Sequence, residues 1–112
     1  MARITKKVNR LMNQPNDYTL NTSQVAELFE VSAATIRKQV ERHRSELEKC
    51  GMQYMTFNEI KEYTEVDTRS LLDSGFSYRG ATMFPRRAIL QLGMTLRKGK
   101  VAKTIRDQML NF

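Results

Sequence analysis

The chain has 112 residues, 40% hydrophobic and 28% charged, enough for one core of ordinary size. That composition excludes a linker or low-complexity sequence; the single cysteine, Cys50, excludes an internal disulfide, and no apolar run approaches the roughly 18 residues of a membrane span. A net charge of +7 with a pI near 9.9 predicts an acidic partner, which charge alone leaves open among nucleic acid, an anionic membrane and an acidic protein.

The first predicted element is a helix over about residues 3–13, where Ile4, Val8, Leu11 and Met12 recur at helical spacing; a disordered basic arm is the alternative. Its basic start lacks the apolar stretch of a secretory signal, so a cytoplasmic location is expected. Pro15-Asn16-Asp17 ends the helix, and "YTL" (18–20) reads as a small strand or extended lead-in. Thr22 or Ser23 can cap the next helix, with Val25, Ala26, Leu28 and Phe29 inward. Ser32 can cap a longer one with Ala33, Ile36, Val40 and Leu47 inward, running to about Lys49 and stopping at Gly51. "MQYMTF" (52–57) reads as a strand, Asn58 as the cap of a helix through "EIKEYTEV", and 67–73 as a short helical piece. "SGFSYRGATMF" has the texture of a hairpin or wing over about 76–84. Pro85 suits the first position of a helix that buries Ala88, Ile89, Leu92 and Leu96. After Gly99 a last helix places Val101, Ala102, Ile105, Met109 and Leu110 on one side. The expected fold is mainly α with a small antiparallel β element, in one domain spanning 1–112 and closed by a helix pair over about 85–111.

The charge is unevenly spread along these elements. Residues 1–14 sum to +4 and residues 85–112 to +6, while residues 15–84 sum to −3. Within that acidic middle the helix after Ser32 alone carries Arg37, Lys38, Arg42, His43 and Arg44. Two short helices meet at "FEVS" with no glycine or proline between them, the small Ala26 lies where they would cross, and apolar residues flank the join. These are the requirements of a helix-turn-helix, expected over about 22–49. Glu30 stands where such turns usually carry glycine, so a left-handed backbone is expected there. An ordinary helical hairpin would account for the apolar stripe and Ala26, but not for the basic face.

With Ile36 and Val40 inward, Thr35, Arg37, Lys38, Glu41, Arg42 and Arg44 lie outward or flanking, and the small Ser32, Ala33 and Ala34 form a tip able to approach base edges. "TSQVAELFEVSAATIRKQV" followed by "MQYMTFNEIKEY" resembles winged helix-turn-helix modules of the MerR-like and RacA type. "TMFPRRAILQLGMTLRKGKVAKTIRDQMLN" is similar to segments of phage and plasmid regulators in the antirepressor and Rha neighbourhood. The resemblance implies a sequence-specific transcriptional regulator that binds double-stranded DNA. It carries a base-reading role to Ser32, Ala34, Thr35, Arg37 and Lys38, and a phosphate-contact role to Thr22, Ser23 and Arg42.

Tyr78 and Arg79 suit a groove or phosphate contact from the wing, or a solvated loop. Lys98 and Lys100, with Arg86, Arg87, Arg97, Lys103 and Arg106, form either a second DNA-facing surface or the solvated side of a helix pair that makes a homodimer. No metal, nucleotide-loop or acid/base motif is present, so neither enzymatic activity nor a cofactor is expected. A protein-binding antirepressor or inhibitor on the same scaffold is the rival function.

Overall fold

Polar residues just ahead of apolar stripes set most helix starts. A computed structural model describes residues 2–15, 18–97 and 99–110, in the order α1 (Ala2–Met12), β1 (Thr19–Asn21), α2 (Thr22–Phe29), α3 (Ala33–Lys49), β2 (Gln53–Met55), α4 (Phe57–Thr64), α5 (Thr68–Asp73), β3 (Ala81–Pro85), α6 (Arg86–Thr95) and α7 (Lys100–Leu110). Asn21 caps α2: its Oδ1 accepts from the Gln24 N–H at 2.8 Å, and Gln24 Oε1 accepts from the Asn21 N–H at 2.9 Å. Thr22 and Ser23, expected as caps, therefore lie inside the first turn. Ser32 caps α3 as expected. Thr56, in a reciprocal pair with Glu59, caps α4 in place of the expected Asn58, and Asp67 caps α5. The C-terminal end of α3 falls at Lys49, and Gly51 follows in the left-handed region at φ +100.

The three strands form one antiparallel sheet in the order β1-β3-β2. The hairpin expected within 76–84 does not form: residues 76–80 are loop, and β3 instead pairs Met83 with both Asn21 and Gln53. Gly80 shows why the chain enters β3 so close to β2. At φ +91, a Cβ there would stand 2.3 Å from the Met55 carbonyl oxygen, a space that only glycine leaves open. Pro85 still pairs with Thr19 and keeps extended geometry, so it caps α6 rather than starting it, and the Arg86 N–H turns back to the Tyr18 carbonyl at 3.1 Å.

Alternation along the strands gives each sheet face its own core. Leu20 and Phe84 face a large core shared with Val8, Phe29, Ile36, Leu47, Ile89, Leu92 and Ile105. On the other face Met83 and Met55 pack with Phe57, Ile60, Leu71 and Phe76. Each fully buried large side chain contributes about 1.5–3 kcal/mol, so most of the stability lies on the large-core face. Helix α1 joins it through Ile4, Val8 and Leu11, and Arg86 Nη1 holds its end by donating to the carbonyls of Met12 (3.3 Å) and Gln14 (2.6 Å).

The apolar stripe expected on α7 divides: Val101, Ala102 and Ile105 are buried, whereas Met109 and Leu110 are 40% and 79% exposed. α7 packs on α6 and α1. Gly93 permits that approach, because a Cβ there would lie 3.0 Å from Ile105 Cδ1 and Cγ2. The inner half of the C-terminal helix pair is thus used within this chain. Among the described residues no helix is long and apolar enough to cross a membrane.

Candidate functional site

The turn between α2 and α3 fixes how α3 is presented. Ala26 is buried at the crossing and its carbonyl accepts from the Val31 N–H at 3.0 Å. Glu30 adopts φ 59 and ψ 42, the left-handed conformation expected at this position. Helix α1 steadies that residue: Arg3 Nη1 lies 2.8 Å and Lys7 Nζ 3.2 Å from Glu30 Oε2. The hydrogen bond from Arg3, then that from Lys7, pulls the Glu30 carboxyl down to about 2.

Ile36 and Val40, both buried, set the roll of α3. At 100° per residue its outward crest is then Ala34, Lys38, Glu41 and Ser45, all exposed. Arg37 and Arg44 flank the crest on one side; Thr35, Gln39 and Arg42 flank it on the other. The expected face therefore exists, but it spans a crest and two flanks. Glu41 places an acid among the arginines. Ser32 Oγ accepts the Thr35 N–H at 3.1 Å and shares a 2.9 Å hydrogen bond with Thr35 Oγ1, so these two hydroxyls act as a coupled pair.

On the first flank, Arg37, Glu41 and Arg44 share a cleft of about 220 Å³ with Thr22 of α2 and with Thr82 and Phe84 of β3. Ser23 is exposed beside it. Tyr54 pairs with Thr82 across the β2–β3 ladder, so its 60%-exposed ring lies on the sheet face that looks toward α3. Its hydroxyl donates to the Arg79 carbonyl. Tyr78, 69% exposed, rests its ring 4.9 Å from that of Phe57. Tyr78 and Arg79 thus sit beyond the β2 edge of the sheet rather than on α3.

On the second flank, Thr35, Gln39, Arg42 and His43 face Thr95, Leu96 and Arg97 at the end of α6 across a cleft of about 340 Å³. Lys100 lies near the turn, lining a cleft of about 420 Å³ with Arg3, Phe29 and Glu30. Lys98 lies outside the described residues. Cations from distant parts of the sequence therefore gather around this motif: Arg97 across a cleft from α3, and Arg3, Lys7 and Lys100 around the Glu30 turn that precedes it. Sequence reasoning did not assign Thr82 and Tyr54. The alternation in "MQYMTF" marks Tyr54 as belonging to one strand face, but which element that face borders follows only from pairing with β3.

His43 Nδ1 is 3.8 Å from Glu46, which also accepts from Gln91 Nε2 at 3.3 Å. Cys50 is half-buried at the end of α3. Among the described residues no group of His, Cys, Asp and Glu is arranged to hold a metal ion. Arranged this way, the surface can present guanidinium and hydroxyl donors to an anionic, groove-shaped partner. Comparison with family models, curated proteins and solved structures gave no match to this chain.

Proposed function

We propose that the chain is a winged helix-turn-helix protein that binds double-stranded DNA in a sequence-specific way, as a transcriptional regulator of phage or plasmid type. The observation that carries this is the setting of α3: an exposed crest with small residues at its N-terminal tip, flanked by its own Arg37 and Arg44 on one side and by its own Arg42 with Arg97 from the end of α6 on the other. In this role α2 and α3 are the two helices of the motif, and β2 and β3 with the 76–80 loop are the wing. The α3 tip enters the major groove, where Ala34 meets a thymine methyl and Arg37 or Lys38 a guanine edge. Thr22, Ser23, Arg42, Arg44 and Lys100 hold phosphates, and Tyr54 and Arg79 extend the contact along the wing. The resemblance of "TSQVAELFEVSAATIRKQV" to known regulators supports the same class.

Titrating the labelled protein with a short duplex and following its amide resonances tests the proposal. Shifts concentrated on Ala34–Arg44, Thr22 and Lys100 are expected. Shifts confined to α4, α5 or the exposed end of α7 would refute it, and an absence of any shift would direct attention to an antirepressor that docks on a protein through the exposed tyrosines.

A further inference from the structure

Helices α1 and α7 lie side by side, joined by a 3.1 Å hydrogen bond from Gln108 Nε2 to Asn9 Oδ1. Ile4, Val8 and Leu11 of one and Val101, Ala102 and Ile105 of the other are turned inward. The 100° step then puts Lys6 and Arg10 outward on α1, and Lys103, Asp107 and Leu110 outward on α7. All five are exposed, and none forms an ion pair among the described residues. Leu110, at 79%, is the most exposed large hydrophobic side chain among them. The helix pair thus presents a face that is basic with an apolar end, and none of these residues belongs to the DNA surface proposed above.

The chain carries the complement of this face on the other side of its sheet. The −3 of residues 15–84 falls entirely on residues 56–75, which hold α4 and α5. Glu59 and Asp67 serve there as helix caps, while Glu62, Glu65 and Asp73 are exposed and form no ion pair among the described residues. Glu62, Glu65 and Asp67 border a shallow groove with Lys61 and Val66. Val66 and Tyr63 beside them are 38% and 50% exposed, so this lobe is acidic with an apolar edge. Helices α4 and α5 pack on the small core, whereas α1 and α7 pack on the large one. Layers pack about 10 Å apart, so the two charged faces are separated by more than the screening length of about 8 Å at physiological salt. One molecule cannot bring them together.

We infer that the α1–α7 face binds a second copy of this chain by taking its α4–α5 lobe, so that copies associate head to tail. Lys6, Arg10 and Lys103 meet Glu62 and Glu65 of the next copy, and Leu110 seats against Val66 of that copy. Because the two surfaces differ, the contact is heterologous and extends from copy to copy instead of closing on a two-fold axis. The net charge of +7 sets copies against each other at long range, but that repulsion is screened beyond about 8 Å, within which the facing charges meet. Charge complementarity of this kind fixes partner and orientation more than it adds affinity, so the association is weak and specific.

The test is sedimentation velocity of the full chain without DNA at about 150 mM salt, so that its failure leaves the DNA proposal standing. Two variants each spoil one surface and keep the other: Arg10→Gln with Leu110→Ser on the helix pair, and Glu62→Gln with Glu65→Gln on the lobe. All four side chains are exposed, so both variants should keep the wild-type melting temperature. The wild type should grow beyond a dimer as its concentration rises to about 1 mM, where even a weak contact is populated. Each variant alone should associate about tenfold more weakly or less. Their equimolar mixture should recover a 1:1 pair that grows no further, because it joins one intact lobe to one intact helix pair. A wild type that stays monomeric, a closed dimer that the mixture does not restore, or association indifferent to both variants would each overturn the inference. So would a monomeric wild type whose affinity for a short duplex falls in the Arg10→Gln variant, since the face would then meet DNA and not a second copy.

Discussion

Salt dependence gives the proposed DNA interface a number that can be worked from its geometry. Six of the exposed cations on or beside α3 are positioned to meet phosphates in this proposal: Arg37, Lys38, Arg42, Arg44, Arg97 and Lys100. If each neutralises one phosphate, at about −0.9 per contact, the slope of log K against log salt is about −5. Affinity should then fall about a thousandfold between roughly 50 and 200 mM salt. Arg44→Gln and Arg97→Gln lie on opposite flanks, so each should reduce the slope by about 0.9 and the double variant by about twice that. Fluorescence anisotropy of a labelled duplex across a salt series measures all four proteins. A wild-type slope shallower than about −2, or variants that lower affinity without changing the slope, would show that these cations do not meet phosphates together.

Three other outcomes follow from particular contacts. Glu41 shares its cleft with Arg37 and Arg44, so Glu41→Gln should tighten DNA binding about two- to tenfold by removing an acid that faces the polyanion, read by the same anisotropy assay; weaker binding would mean that Glu41 positions an arginine instead. The Glu30 carboxyl, lowered to about 2 by Arg3 and Lys7, adds stability that is present above its unfolded value near 4.5 and is lost as pH falls through about 2. The melting temperature of the wild type should accordingly drop more than that of Glu30→Gln between those two pH values, and parallel curves would contradict the ion pairs. Gly93→Ala gains about 1 kcal/mol in helix propensity but forces Ile105 away at 3.0 Å, an overpacking cost of about 1–3 kcal/mol in a buried site; net destabilisation of about 1 kcal/mol in urea unfolding is expected, and a gain would show that α7 yields freely.

Local signals made the helices legible. The Ser32 cap, the left-handed Glu30 and the stop at Lys49 all follow from side chains within a few residues of the event, and so does the roll of α3 set by Ile36 and Val40. Asn21 was obscured because one residue both ends β1 and caps α2. The sheet was harder, since β3 finds one partner some 60 residues earlier at Thr19–Asn21 and the other across α4 and α5. The turn chemistry of "SGFSYRGATMF" suggests a hairpin or wing; the segment forms no hairpin of its own, because Gly80 there serves close approach to Met55 of β2.

The candidate site divides in the same way. The basic face of α3 is a matter of periodicity and could be drawn from sequence. That Arg97 borders Arg42 and that Lys100 reaches the Glu30 turn depends on α6 and α7 docking against α1, α2 and α3, through Ile105, Val101 and the space left by Gly93. For Tyr78 and Arg79 the sequence leaves a wing contact and a loop open; they are carried by a loop tied to β2 through the Tyr54 hydroxyl and to α4 through Phe57.

The most direct measurement is selection of bound duplexes from a random pool at about 150 mM salt, where screening removes much of the non-specific attraction. Recovery of a defined motif, lost when Lys38 and Arg37 are replaced by alanine and retained when Lys100 is, is the result that sequence-specific DNA binding through α3 requires. A recovered pool as random as the input would contradict it.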